Sequence, residues 1–424
     1  MTADSQIKNS WFGLFSALFI LAAMVAVYTG AWYLAAFPFA VLFLFAGWQK
    51  SEHIFFLLLF TLPFSFEYQF TAQLGTDLPD EGLMLFVSFL FLAAWLHSPK
   101  LLPLLTVKHP LVIGLLLSLT WVILSVLFSG NQTLSLKYLL AKCWYAGAFV
   151  MAPLIVFREK RNLLVAFIIL ASSLLLVTLI ILFRHYLTGF RFATINEAAY
   201  PFFRNHVNYS AMLVCLVPVF FAFLFNAKNR NTKYRIAAVI AILLIALFFS
   251  YARGAWLALL AGALAWWLIK RKWLFAFFLA VVFCILAAVS WLRSGDRYLQ
   301  YAHDYKTTIF HKDFNEHIVA TYKLKDVSTA ERFYRWIAGV RMIKDNWLTG
   351  YGPNTFYDNY RGYTVPAYKT WVSDNEDRST VHNYYLLTAI EQGIPGLVIL
   401  LYLLGMMLYY SQYLYHRVKD IVYK

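Results

Sequence analysis

The sequence predicts an all-α, polytopic membrane protein of about twelve transmembrane helices, with one large, partly helical loop near its C-terminal end. Its composition is the first reason. Of 424 residues, 61% are hydrophobic and 19% aromatic, but only 13% are charged, against about 25% charged in soluble domains. So much apolar surface cannot be hidden in a water-soluble core of this size. The second reason is that the apolar residues fall in runs of about 20, the length that crosses a bilayer. The third is the alternation of basic and non-basic connections between those runs.

Candidate spans begin near Trp11, Ala31, His53, Gly82, Leu111, Tyr138, Leu163, Asn208, Ile236, Gly254, Trp273 and Ile394. The third is short and interrupted by Pro63. No small-residue cleavage site follows the first, which reads as a retained helix and not a signal peptide. With the N-terminus inside, the cytoplasmic connections hold Lys50, Lys100, Lys108, the Arg158–Arg161 cluster, Lys228–Arg235, Lys270–Lys272, Arg417, Lys419 and Lys424. The opposite loops carry few basic residues, and Phe66–Asp80 carries only acidic charge. This positive-inside pattern places both termini in the cytoplasm. It also accounts for much of the net charge of +15, so no nucleic-acid partner is expected. Cys143, Cys215 and Cys284 each lie in an apolar run, an odd set that reads as buried free thiols and not as a disulfide framework.

The expected organisation is residues 1–292 as transmembrane helices, 293–381 as a loop or cap on the outer face, and 382–424 as a re-entry helix, the last span and a tail. Loops as long as 293–381 are functional or disordered. Its Trp and Tyr content and helical spacing favour an ordered cap. There is no internal repeat and no phosphate-cradling Gly-Lys-Ser/Thr loop, so nucleotide hydrolysis does not drive this protein. Acidic residues lie almost wholly outside the spans, which argues against an ion-coupled carrier.

Basic residues on the outer face run against the positive-inside bias. Arg253 sits in Phe248-Phe249-Ser250-Tyr251-Ala252-Arg253-Gly254-Ala255-Trp256, a hairpin so tight that two apolar helices meet almost at its charge. Such a charge at membrane depth costs about 2.5 kcal/mol or more. It is either an Arg that snorkels to lipid phosphates or an anion-binding Arg facing a cavity. Arg204 and Arg191 share an outer loop, where a solvated charge and a ligand contact are both open readings, and His206 beside them is a weaker candidate. Ser328-Thr329-Ala330-Glu331 looks like a helix start, with Ser328 as N-cap in a capping box. Arg332, Arg335 and Gly339 would then share a face, on a helix that could equally be a plain surface element. His382-Asn383 marks the change from polar loop to apolar helix. A His there is either a satisfied structural residue or a proton acceptor near neutral pH. Gly393, Pro395 and Gly396 predict a break between a short outer helix and the last span.

Together these residues resemble the O-antigen ligase and O-antigen polymerase superfamily of bacterial inner-membrane, lipid-linked-glycan glycosyltransferases. The likeness rests on Ser250-Tyr251-Ala252-Arg253-Gly254, then Glu331-Arg332…Trp336…Met342–Phe356 with its Gly350-Tyr351-Gly352 turn, then His382-Asn383…Gly393-Ile394-Pro395-Gly396. Trp347 stands where the family usually has Pro. The match covers roughly Pro201 to Leu404; earlier residues agree only as hydrophobic topology. The resemblance implies a GT-C-like enzyme of the inner membrane with its active site facing the periplasm. It implies transfer of a glycan from undecaprenyl diphosphate to a hydroxyl of lipid A–core or of another glycan acceptor, with no metal or other cofactor. In that reading His382 is the base and Arg253, Arg332, Arg204, Arg191, Arg335 and Asn383 bind substrate. A ligase fits better than a polymerase, because the chain is compact with a single dominant loop. The rival from another class is a lipid-linked oligosaccharide flippase, which would need the arginines but not His382.

Overall fold

The structure, a computed structural model, describes residues 16–22, 24–25, 27–30, 47–71, 74–301, 327–370, 373 and 380–418. The expected start of the first span, most of the second, and the acidic residues Asp374, Glu376 and Asp377 lie outside them. A short apolar helix, α1 (Ser51–Thr61), continues as a 3-10 turn through Pro63. It is followed by α2 (Asp80–His97), α3 (Pro110–Leu127), α4 (Gln132–Val156), α5 (Lys160–Leu187), α6 (His206–Asn226) and α7 (Arg230–Phe249). Then come α8 (Arg253–Arg271), α9 (Leu274–Arg297), α10 (Val327–Asp345) and α11 (Tyr384–Arg417). Among the described residues, 8 of these are long and apolar enough to cross a membrane: α2 to α7, α9 and α11. The chain is a multi-pass, all-α membrane protein. Among the described residues α1 is too short and α8 carries Arg253, Lys270 and Arg271 in its 19 residues, while the first two of the twelve expected spans lie largely outside them.

Local chemistry sets the helix boundaries. The Asn131, Asn205 and Asn229 side chains accept backbone N–H groups at the starts of α4, α6 and α7, which satisfies donors that a helix start leaves open. Pro110 opens α3 behind the His109 cap, since proline has no N–H to lose there. The turn from α7 to α8 is as tight as its sequence predicts: Ser250 bonds back to the Leu247 carbonyl at 2.7 Å, and Tyr251 takes a positive φ of 56°.

Two expectations change. The Phe66–Asp80 connection, expected only as an acidic outer loop, forms an antiparallel hairpin, β1 (Phe66–Thr71) with β2 (Leu74–Leu78), its register carrying an irregularity between Gln69 and Thr71. The three cysteines are free, as expected, but exposed on the outsides of their helices and not buried. In a bilayer that surface faces lipid, where a thiol is as acceptable as in a protein core.

Three apolar cores organise the molecule. One joins α5, α6 and α7 with the start of α8, around Leu174, Tyr209, Leu213 and Leu243. Another joins α1, α2 and α4 with α5, around Phe55, Leu58, Val87 and Ala148. The third is the cap: Tyr334, Ala338 and Met342 of α10 pack on Phe356, Tyr360, Tyr368, Val381 and Ile390. Residues 327–370, part of the stretch 293–381 expected as a cap, fold around α10 in this core. Its helix α10 starts at Val327, one residue before the expected cap residue Ser328, so Ser328 lies within the helix.

The cap is seated through backbone. Tyr351 N–H donates to Ile390 O (3.0 Å), Gly352 N–H to Glu391 O (2.9 Å) and Ile394 N–H to Trp347 O (2.7 Å). The helix α11 is broken at Gly393 (φ 71°, ψ 179°), as its Gly-Ile-Pro-Gly run predicts. This splits it into an outer helix from Tyr384 and a membrane-crossing segment. A Cβ at Gly393 would overlap the Leu348 carbonyl, and one at Gly350 the Glu391 carbonyl. The glycines of the Gly-x-Gly turn are there for close backbone approach.

Candidate functional site

The site is built where the cap meets the outer helix of α11. Its frame is one turn of α10. Glu331 is buried, and its carboxylate accepts the hydroxyls of Thr370 (2.5 Å) and Ser373. It also pairs with Arg335 at 3.3 Å. Arg335 is 4% exposed, and its Nη1 donates to the Thr380 carbonyl at 2.9 Å. The guanidinium lies over the Tyr360 ring, 5.8 Å from its centroid. Trp336 Nε1 donates to the Val381 carbonyl at 3.0 Å. Consecutive carbonyls just before His382 are therefore gripped from α10, and His382 itself takes a positive φ of 51°. Non-glycine residues rarely adopt that conformation, which persists only where the surroundings over-determine it.

His382 is exposed at the foot of the cap, yet enough of its ring is covered to disfavour the imidazolium. Its pKa is lowered from the ordinary histidine value, first by that burial and then by the Arg335 and Arg332 cations, with Glu331 pulling the other way. Next to it, Asn383 caps the outer helix, its side-chain oxygen accepting the Leu386 N–H at 3.1 Å. Arg332 is exposed on α10. The expectation that Arg332 and Arg335 share one face is thus corrected. Arg335 lies on the inner side with Glu331 and Gly339, committed to protein partners, while Arg332 points outward.

The other predicted arginines gather elsewhere on the cap end. Arg253 is the first residue of α8 and is half-buried. Its hairpin is tied to the preceding outer loop by the Tyr251 hydroxyl, which donates to Phe190 O at 2.6 Å, and by Phe192 packed edge-on against Tyr251. Arg191, exposed in that loop, has its carbonyl bonded to His185 Nε2 at 3.0 Å. The same seam therefore fixes the backbones of Arg191 and Arg253. His206 is held by Asn196 at 2.8 Å. Arg204 is exposed and acts on Asp77 of the β-hairpin, whose pKa is raised by burial and by Asp80, Glu81 and Glu67, with Arg204 opposing.

One cation was not singled out from the sequence. On α4, Asn131, Ser135, Tyr138 and Lys142 recur at helical spacing, so they form a polar stripe on one face of a spanning helix. Asn131 Nδ2 reaches Asp358 at 3.4 Å, Ser135 Oγ donates to the Pro353 carbonyl at 2.7 Å, and the Tyr138 hydroxyl meets the side chains of Tyr384 and Gln392. Lys142 closes the stripe. Its ammonium lies 3.4 Å from the Tyr384 hydroxyl and 5.3 Å from the Tyr138 ring centroid, and no carboxylate pairs with it among the described residues. It sits about 15 Å along the helix from Gln132, at 1.5 Å per residue. A charge at the centre of a bilayer costs about 2.5–3.5 kcal/mol on insertion scales, and one cation–π contact returns about 0.5–2 kcal/mol. The polar spacing on α4 is the signal that would have found Lys142.

Comparison with known proteins gives two matches. A family model described as O-Antigen ligase matches residues 238–401, a stretch that holds Arg253, α10, the cap seat, His382 and the break at Gly393. Arg191, Arg204 and Lys142 lie outside it. The O-antigen ligase of Salmonella typhimurium is 27% identical over 214 residues, covering 50% of this chain. The match spans about half the length of that relative (48%). No solved structure matches the chain. In its motifs, their order along the chain, and these matches, the C-terminal half of the chain is similar to the O-antigen ligase family.

Proposed function

We propose that this protein is a glycosyltransferase that moves a glycan from undecaprenyl diphosphate to a hydroxyl of lipid A–core, in the inner membrane and with its site on the periplasmic face. The observation that carries the reading is the grip of Arg335 and Trp336 on the Thr380 and Val381 carbonyls, which sets His382 beside the outward Arg332. That is an imidazole with a lowered pKa next to a free-facing cation, at the end of the chain where the lipid-linked donor would lie.

Each group then has a task. His382 takes the proton from the acceptor hydroxyl, whose oxygen bonds to the anomeric carbon of the donor sugar. The bond from that carbon to the diphosphate breaks, and undecaprenyl diphosphate leaves. A base with a pKa near or below the working pH is neutral and ready for this step. The leaving diphosphate gains negative charge, and fixed cations stabilise it as it forms. Arg332 and Arg253 are suited to that work, because a guanidinium is always charged and grips phosphate oxygens in pairs. Arg204 and Arg191 are proposed as further ligands on the same face. Arg335 supports His382 from behind, and Asn383 fixes the start of the outer helix.

The test is deletion of the gene in its host, with the glycolipids profiled by mass spectrometry. Full-length glycan stranded on undecaprenyl diphosphate beside bare lipid A–core establishes ligation. Core capped by single repeats identifies a polymerase instead. An unchanged profile sinks both and returns the flippase.

A further inference from the structure

We propose that Lys142 is a phosphate-binding cation, placed below His382 at the inner end of a polar stripe on α4, and that its anion is the diphosphate of the lipid-linked donor. The identity of the anion rests on the glycan-transfer reading above; the site itself rests on geometry alone. Every member of the stripe before Lys142 meets the cap or the outer helix: Asn131 with Asp358, Ser135 with the Pro353 carbonyl, Tyr138 with Tyr384 and Gln392. A spanning helix that turns such a row of polar groups toward the site lines a recess that water enters, not a lipid-facing wall. The ammonium of Lys142 ends that row, 3.4 Å from the hydroxyl of Tyr384, the second residue after His382. No carboxylate neutralises it among the described residues. An ionisable side chain inside a membrane segment that lacks an internal counter-ion marks a substrate or ion path. A compact ammonium with three donors suits a phosphate oxygen, which it can follow as the group shifts. Tyr138 and Tyr384 flank it with hydroxyls that can bond the same oxygens.

A donor bound across this recess would have one phosphate near Lys142 and its sugar toward His382, so Lys142 and the outward arginines would hold the diphosphate from different sides. The same chemistry could come from the phosphate of an ordinary anionic phospholipid, and the experiment separates the two. The full chain is placed in phosphatidylcholine nanodiscs, and its affinity for sugar-free undecaprenyl diphosphate is measured by titration with native mass spectrometry. A parallel titration uses phosphatidylglycerol.

Loss of the charge in Lys142→Met is expected to weaken undecaprenyl diphosphate about ten- to a hundredfold. Lys142→Arg should remain near wild type. Lys137→Met, exposed and off the stripe, serves as a control and should change nothing. If Lys142→Met weakens phosphatidylglycerol alone, the cation is a headgroup site and the donor assignment is overturned. Equal affinity of Lys142→Met and wild type for both lipids overturns the phosphate site altogether. Removing an uncompensated charge from a spanning helix does not threaten folding, and an unchanged melting temperature verifies this. The His382→Ala variant is expected to bind undecaprenyl diphosphate normally while transferring glycan about 10²–10⁴-fold more slowly. Wild-type protein that binds the lipid but transfers nothing would thus refute the functional reading without touching this one.

Discussion

Arg335 on α10 donates to the carbonyl of Thr380, 45 residues further along the chain, at a distance of 2.9 Å. A residue expected to hold substrate instead holds the backbone that presents His382. The buried pair Glu331–Arg335 should therefore behave as a strut. Breaking such a pair by removing one partner costs about 3–5 kcal/mol, because the other charge stays buried and alone. Arg335→Met and Glu331→Gln are each expected to lower the melting temperature of the purified protein markedly. The double variant Glu331→Met/Arg335→Met should recover much of that loss. If the recovered double variant also transferred glycan at the wild-type rate, the strut would have no bearing on His382.

His382→Ala should reduce transfer by about 10²–10⁴-fold, the usual worth of a general base. The pH dependence follows from the cations beside it. Burial, Arg335 and Arg332 lower the pKa of His382, so the neutral base persists to lower pH than in an ordinary histidine. Transfer should rise with pH along an acid limb whose midpoint lies below the ordinary histidine range. Arg332→Gln removes one cation, allows the imidazolium back, and should move that limb to higher pH. A limb that stays in place on this substitution would separate Arg332 from His382.

The seat of the cap depends on glycines at particular atoms. Gly393→Ala would bring a Cβ against the Leu348 carbonyl at φ 71° and ψ 179°, an essentially glycine-only backbone region that alone costs about 1–3 kcal/mol. The overlap adds to this, so Gly393→Ala should fail to express in folded form. Gly362→Ala meets nothing within 4 Å and should be neutral. Size-exclusion profiles in detergent distinguish the two.

The exposed cysteines give a topological test. Cys143, Cys215 and Cys284 lie on helix surfaces within apolar segments, so in a bilayer they face lipid and not water. A water-soluble maleimide should leave all three unlabelled in intact membranes and label them after denaturation in detergent. Rapid labelling of Cys215 in membranes would place the α6 surface in water.

Where local rules suffice, the sequence already carried the answer. Gly393, Pro395 and Gly396 specified the break in α11, and Ser250 to Arg253 specified the tight hairpin, because both depend on backbone chemistry within a few residues. The difference between Arg332 and Arg335 was not legible. Helical spacing places both on α10, but only the packing of Tyr360, Thr370 and Thr380 against the helix decides which one is buried. The β-hairpin was missed because its strands are short and flanked by spans that dominate the pattern. Lys142 hid for a similar reason: a single lysine in an apolar run looks like noise until Asn131, Ser135 and Tyr138 are read with it at their spacing.

The seat of the cap has an evolutionary consequence. Its fastenings, from Tyr351 to Ile390, Gly352 to Glu391 and Ile394 to Trp347, are made between main-chain atoms. Such a fastening does not read side-chain identity, except where glycine must make room for it. The exposed positions of the cap can therefore drift without unseating it. A cap grafted from a distant relative should dock on this chain only if it brings Gly350 and Gly352, meets an unaltered Gly393, and keeps the side chains that reach across the joint, Arg335 and Trp336 among them. Divergence in what such proteins recognise is then to be sought on the outward skin of the cap, while the joint beneath stays fixed as a common socket.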